Sequence, residues 1–506
     1  MPAPTGPESV ELDRLAIEDV GVPQSVLMEN AGRAAAAVLQ RLYPEGPVVG
    51  LIGGGNNGGD ALVLLRTLLS WGREAKGILV ADREAEDPLL HGWALPLLID
   101  LDIDDAAWAS ELNAASVVVD GVLGTGVLGP PRERQAEAIR RINASARPVL
   151  AVDVPSGVDA TTGAVPGDAV RADVTVAFGA PKLGTLLHPA LRHAGRLVAA
   201  EIAFSPWDSG AVAAWVATPA WARSRLPQRG SDTHKKAVGS VLIAAGGVGM
   251  AGAAILAARA AFRSGAGLVR VCSVPDNRSA IQAALPEAIY VDASDAAAVS
   301  AAIEESDAVA AGPGLGTAMA AVDLLTLVLD GPRRPTVLDA DALNLAAAGA
   351  LDLADVAERR PLLITPHPGE MARLLGPGDA DRASSARAAA EQFGCTVLLK
   401  GAPSVVASPG GGLLVDTQAS SDLAVAGMGD ALTGVCGSFM AQGLDAATAA
   451  AVGLYCTGRA GRLAGRGVSL MPSDIIRWLP DAIGEDTEAV SDLDLPFVTF
   501  DADPAR

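Results

Sequence analysis

Short aliphatic runs that close in Gly or Asp, each followed by a turn and an Ala-rich stretch, recur along most of the chain and constrain its fold more than any other feature. Val48-Val49-Gly50-Leu51-Ile52, Gly77-Ile78-Leu79-Val80, Val117-Val118-Val119 and Val149-Leu150-Ala151-Val152 are continuous rather than alternating. Continuous runs belong to strands buried on both faces, the condition of a parallel sheet with crossover helices. Arg14 to Leu39 reads as one or two amphipathic helices before the first strand, broken near Gly21-Val22-Pro23. The same grammar restarts after residue 235, with runs beginning at Ser240, Leu268, Ala308, Thr336, Leu362 and Val397. The fold class is α/β, in two parallel-sheet halves.

A chain of 506 residues is long enough for two or three domains. Polar Pro/Gly-bearing stretches, Pro206-Trp207-Asp208-Ser209-Gly210 and Leu226-Pro227-Gln228-Arg229-Gly230-Ser231, place a boundary near 220. The expected domains are 1–220 and 221–480. From Asp481 the tail (481–506) carries Glu485, Asp486, Glu488, Asp492 and Asp494 against a lone Arg506, and reads as a solvated acidic segment. A net charge of −21 argues against nucleic acid as a partner, because phosphate-backbone affinity rests on Lys and Arg. Cys272, Cys395, Cys436 and Cys456 show no CxxC spacing and read as buried reduced thiols in a cytoplasmic protein. No secretory signal is visible at the start. The charge-free stretch from Ala237 to Ala258 is interrupted by Gly246, Gly247, Gly249 and Gly252 and reads as strand, turn and buried helix, so no membrane span is expected.

Gly53-Gly54-Gly55-Asn56-Asn57-Gly58-Gly59-Asp60 follows a strand and opens a helix from Ala61 to Ser70, with Asp60 as its cap. Glycines let backbone N–H groups approach a ligand, and a helix N-terminus favours an anion such as pyrophosphate. Asp120 (before Gly124-Thr125-Gly126), Asp153 with Ser156, and Lys182 stand near other strand ends. Ligands of open α/β sheets bind at the carboxyl ends of strands, so these sets define one crevice.

Together with Glu29-Asn30-Ala31-Gly32, Asp153-Val154-Pro155-Ser156-Gly157 and Pro181-Lys182, these motifs resemble the NAD(P)H-hydrate epimerases over roughly residues 10 to 205. The resemblance implies a Rossmann-like domain whose hydrate site is lined by Asn56, Asn57, Gly58, Gly59 and Asp60, and by Gly124, Thr125, Gly126, Val127, Leu128, Gly129 and Pro130. It also implies a potassium ion on Asn57, Asp120 and Ser156, and substrate contact through Asp153. Hard oxygen ligands suit an alkali cation, and epimerising a hydroxyl-bearing carbon needs proton transfers. Asp153 is the first choice of acid/base and Lys182 the second. Val122-Leu123 stand where Leu-Phe is commoner in the family, an expected packing difference.

In the second half, Gly427-Met428-Gly429-Asp430 sets a glycine turn before an apolar helix. Its amides suit a transferring phosphoryl group, with Asp430 beside it as base. No Walker sequence or protein-kinase catalytic loop occurs. Further polar strand ends are Gly312-Pro313-Gly314-Leu315-Gly316, Leu338-Asp339-Ala340-Asp341-Ala342-Leu343-Asn344, Thr365-Pro366-His367-Pro368-Gly369-Glu370 and Lys400-Gly401-Ala402-Pro403-Ser404. This half resembles the ADP/ATP-dependent NAD(P)H-hydrate dehydratases, relatives of the ribokinase-like kinases, over roughly residues 225 to 480. By that resemblance Ala266, Gly314, His367 and Asp430 contact the hydrate, while Lys400, Gly401, Ala402, Pro403, Ser404 and Gly429 contact the nucleotide. It further implies ADP with magnesium, and a homo-oligomer. Family members commonly read Thr where Met428 stands and carry a glycine upstream that is replaced here, a departure that bears on a phosphate contact.

The combined expectation is a repair enzyme for NADHX and NADPHX that epimerises the R and S hydrates and dehydrates the S form at the expense of ADP. The rival reading is a ribokinase-like vitamin-precursor or sugar kinase carrying a non-catalytic nucleotide-sensing module at residues 1 to 220.

Overall fold

A computed structural model describes residues 1–83, 87–126, 128–204, 212–228, 238–378, 381–418, 420–484 and 493–502. Val127, the boundary stretch 206–210, residues 229–231, Glu485, Asp486, Glu488, Asp492 and Arg506 lie outside the described residues. The chain divides into two compact units, Met1–Trp215 with Ala489–Arg506, and Val216–Glu488.

In the first unit the apolar runs form parallel strands β1 (Val48–Ile52), β2 (Ala75–Leu79), β3 (Leu97–Ile99), β4 (Val117–Gly121), β5 (Val149–Val152), β6 (Val174–Phe178) and β7 (Arg196–Ala200). They are ordered 7-6-5-4-1-2-3, with β1, β4, β5 and β6 buried along their whole length. The order reverses direction at β1, which pairs in parallel with β2 on one side and β4 on the other. This is the switch point at which open sheets gape.

The expectation of a solvated tail is corrected. Val498–Ala502 pairs antiparallel with β7, Arg196 holds Asp501 through two bonds of 2.8 and 2.6 Å, and Leu493 and Phe500 are buried. Within the acidic tail, Pro496-Phe497-Val498-Thr499-Phe500 is apolar enough to cover a sheet edge.

The second unit contains β8 (Ala214–Val216), β9 (Ser240–Ala244), β10 (Leu268–Ser273), β11 (Ile289–Asp292), β12 (Ala308–Ala311), β13 (Thr336–Leu338), β14 (Leu362–Ile364), β15 (Thr396–Leu399), β16 (Val405–Ala407) and β17 (Leu413–Val415), where β8 spans the division in sequence. The sheet order is 11-10-9-12-13-14-15-16-17-8, parallel from β11 to β15 and antiparallel through β16 and β17. With only 3% aromatic residues, the core relies on small side chains at close helix contacts. A Cβ on Gly434 would stand 1.9 Å from the Ala257 carbonyl, so the helices Met428–Ala441 and Ala251–Arg263 touch backbone to backbone there. The strand, turn and helix read from Ala237–Ala258 are β9 and the helix Ala251–Arg263. No described helix is long and apolar enough to cross a membrane.

Candidate active sites

In the first unit a cavity of about 640 Å³ opens at the switch point between β1 and β4. The loop after β1 turns into the helix Asn56–Ser70, which begins before Ala61. Asp60 therefore lies in its second turn and is not its cap, a correction: Gly55 is the N-cap. Gly58 is required where it stands, since a Cβ would lie 2.0 Å from the Gly53 carbonyl. Asn56, Asn57 and Asp60 line the cavity with Gly124, Thr125, Gly126, Asp153 and Lys182. Gly58 and Gly59 are buried helix-packing positions outside that lining. Leu128, Gly129 and Pro130 are exposed and also lie outside it.

Asn57, Asp120 and Ser156 are brought together. Ser156 Oγ donates to Asp120 Oδ1 at 2.5 Å, and Ser156 N donates to Oδ2 at 2.8 Å. Asn57 Nδ2 donates to the Leu123 carbonyl at 2.7 Å, which leaves Asn57 Oδ1 buried with no hydrogen-bond partner among the described residues. An orphaned amide oxygen beside a buried carboxylate and hydroxyl is a donor set suited to a hard cation. Burial pushes the Asp120 carboxyl up to about 6 against the Ser156 hydrogen bonds.

Asp153 follows β5 with φ 66°, strained for a residue with a side chain. Its Oδ1 accepts from Lys182 Nζ and, at 3.1 Å, from Phe178 N. Lys182 is only 2% exposed and also donates to the Phe178 carbonyl at 2.9 Å. The lysine is thus a fixed ion-pair partner that holds Asp153 at the cavity wall. Two further carboxyls face this pair. Burial and Asp153 push Asp60 well above the usual carboxylate range, and the same two causes push Asp13 up to about 6. Asp13 stands in no sequence motif, and the helix that carries it, Gly6–Arg14, lies ahead of the helical pattern that begins at Arg14.

In the second unit the carboxyl ends of β13, β14 and β15 meet the start of the helix Met428–Ala441. Gly427 takes the left-handed conformation (φ 88°) at its N-cap. Helix geometry leaves the first-turn N–H groups of Gly429 and Asp430 free to receive an anion. Asp339, buried at 1% exposure, accepts from Lys400 Nζ at 2.7 Å on one oxygen and from Thr433 Oγ1 at 2.7 Å on the other. Burial alone would raise the Asp339 carboxyl, but the Lys400 ammonium together with the hydroxyls of Thr433 and Thr365 more than offsets it and holds it below the usual range. A Cβ on Gly429 would lie 3.2 Å from Lys400 Nζ, so the ammonium sits directly under the helix start. Burial and repulsion from Asp339 push Asp430 up to about 6.

His367 caps the helix Pro368–Leu375, its Nδ1 accepting from Gly369 N at 3.0 Å, while Glu370 accepts from His367 N at 2.8 Å. Ser404 Oγ donates to the Gly401 carbonyl at 2.8 Å, closing the Gly401-Ala402-Pro403 turn. Ala266 is corrected. It precedes β10, at the amino edge of the sheet, whereas Gly314, His367, Lys400 and Asp430 gather at the carboxyl edge. Thirteen helical residues separate the edges by about 20 Å. The small residue beside Gly314 is Ala253, whose Cβ would lie 2.9 Å from a Cβ added there.

Family models match both units: residues 24–184 fit the YjeF-related protein N-terminus, and residues 241–480 fit NAD(P)H-hydrate dehydratase. The bifunctional NAD(P)H-hydrate repair enzyme Nnr of Moorella thermoacetica is 38% identical, covering 94% of this chain and 95% of that one. Its counterpart from Salinibacter ruber is 37% identical, with 94% of each chain covered. A ribokinase-like superfamily protein from Enterococcus faecalis superposes with a TM-score of 0.50 at 25% identity, covering 55% of this chain and 97% of that one. With such relatives covering 94% of its length, the chain belongs to the family of bifunctional NAD(P)H-hydrate repair enzymes.

Proposed function

We propose that the first unit interconverts the R and S hydrates of NADH and NADPH, and that the second dehydrates the S hydrate at the expense of ADP, giving AMP and phosphate. The observation that carries the reading is the Asp153–Lys182 pair on the wall of a cavity that Asn57 also lines, with Asn57 sharing the Leu123 carbonyl with the Ser156–Asp120 pair. Hydration of the reduced ring puts a hydroxyl on the carbon next to nitrogen, and inverting that carbon needs an acid and a base in an enclosed site. Asp153 is the acid/base, and Lys182 keeps it in place. Asn56 and Gly124–Gly126 at the cavity mouth contact the dinucleotide. Potassium, held by Asn57, Asp120 and Ser156, would fix the loops after β4 and β5 around the substrate.

In the second unit Asp430 takes the proton of the hydrate's hydroxyl as its oxygen attacks the terminal phosphorus of the nucleotide. The free amides of Gly429 and Asp430 and the Lys400 ammonium balance the charge that develops there. Loss of phosphate with a proton from the neighbouring carbon then restores the ring double bond. Asp341 lies close enough to push the Asp430 carboxyl up, and two such carboxylates with nucleotide phosphates form an oxygen donor set that suits magnesium. Four buried free cysteines support a reducing, cytoplasmic setting. The proposal includes a homo-oligomer, on family resemblance alone.

A mixed R and S hydrate preparation with the full-length protein, potassium, magnesium and ADP should regain the full NADH absorbance. Asp153→Ala should restore only the S fraction at the wild-type rate. No recovery with ADP or ATP would defeat the dehydratase reading, and complete rapid recovery with Asp153→Ala would reduce the first unit to a binding module.

A further inference from the structure

The first helix, Gly6–Arg14, lies outside the residues that the family model matches, yet it belongs to the cavity. Ser9, Asp13 and Ile17, at four-residue spacing, line the cavity together with Val10. The segment is pinned beside the Asp153–Lys182 pair. The amide of Leu183, next to Lys182, donates to the Pro4 carbonyl at 2.9 Å, and Gly6 N donates to Thr161 Oγ1 at 3.1 Å. A capping box between Thr5 and Glu8 fixes the helix start, and a π-helical turn, Leu15–Asp19, follows directly after it. Such turns recur at functional sites.

Asp13 therefore enters the cavity from its own element. It faces Asp60 from the helix Asn56–Ser70, Asp153 from the loop after β5 and Lys182 from the loop after β6, with Arg83 acting on Asp60 and Arg132 also on the cavity lining. Three carboxyls share one ammonium, so they cannot all be ionised without cost. Asp60 is nine-tenths buried and lines the cavity, and no hydrogen bond fixes its carboxyl among the described residues.

Resting on the epimerase reading of this unit, we infer that Asp13 is a second catalytic carboxyl, the acid partner of Asp153. Asp13 gives its proton to the ring hydroxyl. The carbon–oxygen bond breaks, with its electron pair leaving on water, and the nitrogen lone pair forms the C=N bond of an iminium. Water then adds to the opposite face and passes its proton to the Asp153 carboxylate. Exchange with solvent returns the proton inventory to its start, and the reverse epimerisation exchanges the two roles. The rise of the Asp13 carboxyl to about 6, caused first by burial, then by Asp153, and opposed by Lys182, keeps a protonated fraction available near neutrality.

The test follows R and S hydrate interconversion directly, by chromatographic separation of the two epimers, with the full-length protein and no nucleotide. Wild type, Asp13→Asn and Asp13→Glu are compared, each with its thermal unfolding midpoint. The expected result is a loss of about 100-fold or more for Asp13→Asn, a smaller loss for Asp13→Glu, and an inflection near pH 6 in wild type that Asp13→Asn lacks. A wild-type rate in Asp13→Asn overturns the inference, and so do equal losses in both variants, which would mark a packing role. A wild type that does not interconvert the epimers at all sinks the epimerase reading instead.

Discussion

Asp339 shows how much one buried side chain can organise. Its two oxygens tie the end of β15, through Lys400, to the first turns of the helix Met428–Ala441, through Thr433. The residue after it, Ala340, pays for this placement with φ 50°. Removing one charge from such a pair strands the other in the interior. Asp339→Asn is expected to lower the stability of the second unit by about 3–5 kcal/mol in urea denaturation. Asp339→Leu combined with Lys400→Met should cost less, although both should lose the dehydratase reaction. Asp430 acts as a base only when deprotonated, and burial has moved its carboxyl up to about 6. Dehydration of the S hydrate at saturating nucleotide should therefore fall as pH drops through about 6 and level off above it, a limb absent from the residual activity of Asp430→Asn. Asp339 and Lys400 were each legible as polar strand ends, but their pairing joins positions 61 residues apart. A single sequence cannot show which of several strand-end charges will face each other.

At the scale of elements, continuous apolar runs translated directly into strands because burial on both faces leaves no polar period to disguise them. Helix starts were harder to read. Asn56-Asn57-Gly58-Gly59 has low helix propensity, yet it is helical because the tertiary contacts of Gly58 and Gly59 demand close approach. Family resemblance implies Ala266 in the site, yet the length of the helix Ala251–Arg263 that precedes it carries it to the other edge of the sheet. Close backbone contact has an energetic counterpart in the second unit. Gly434→Ala must push the helix Met428–Ala441 away from the Ala257 carbonyl, which should lower stability by about 1–3 kcal/mol. The urea midpoint of the second unit would register it, and an unchanged midpoint would mean that the helices separate freely.

For the molecule as a whole, division of labour between two parallel-sheet units was legible, because the same grammar restarts after residue 235. The return of the chain to its first unit was not, since a five-residue strand leaves too short a pattern to stand out beside a run of acidic residues. Ending the chain after Ala482 uncovers the edge of β7 and strips Arg196 of Asp501. Epimer interconversion should then drop and the first unit should unfold at lower temperature, while S-hydrate dehydration persists. Wild-type interconversion in the truncated protein would show that the closing strand is dispensable. Arg196 and Asp501 are 305 residues apart in sequence, so at a ribosomal rate of about 5–20 residues per second β7 waits roughly 15 to 60 seconds for its neighbour. The half translated first is the half completed last, and a nascent chain abandoned midway leaves the ribosome without a finished first sheet.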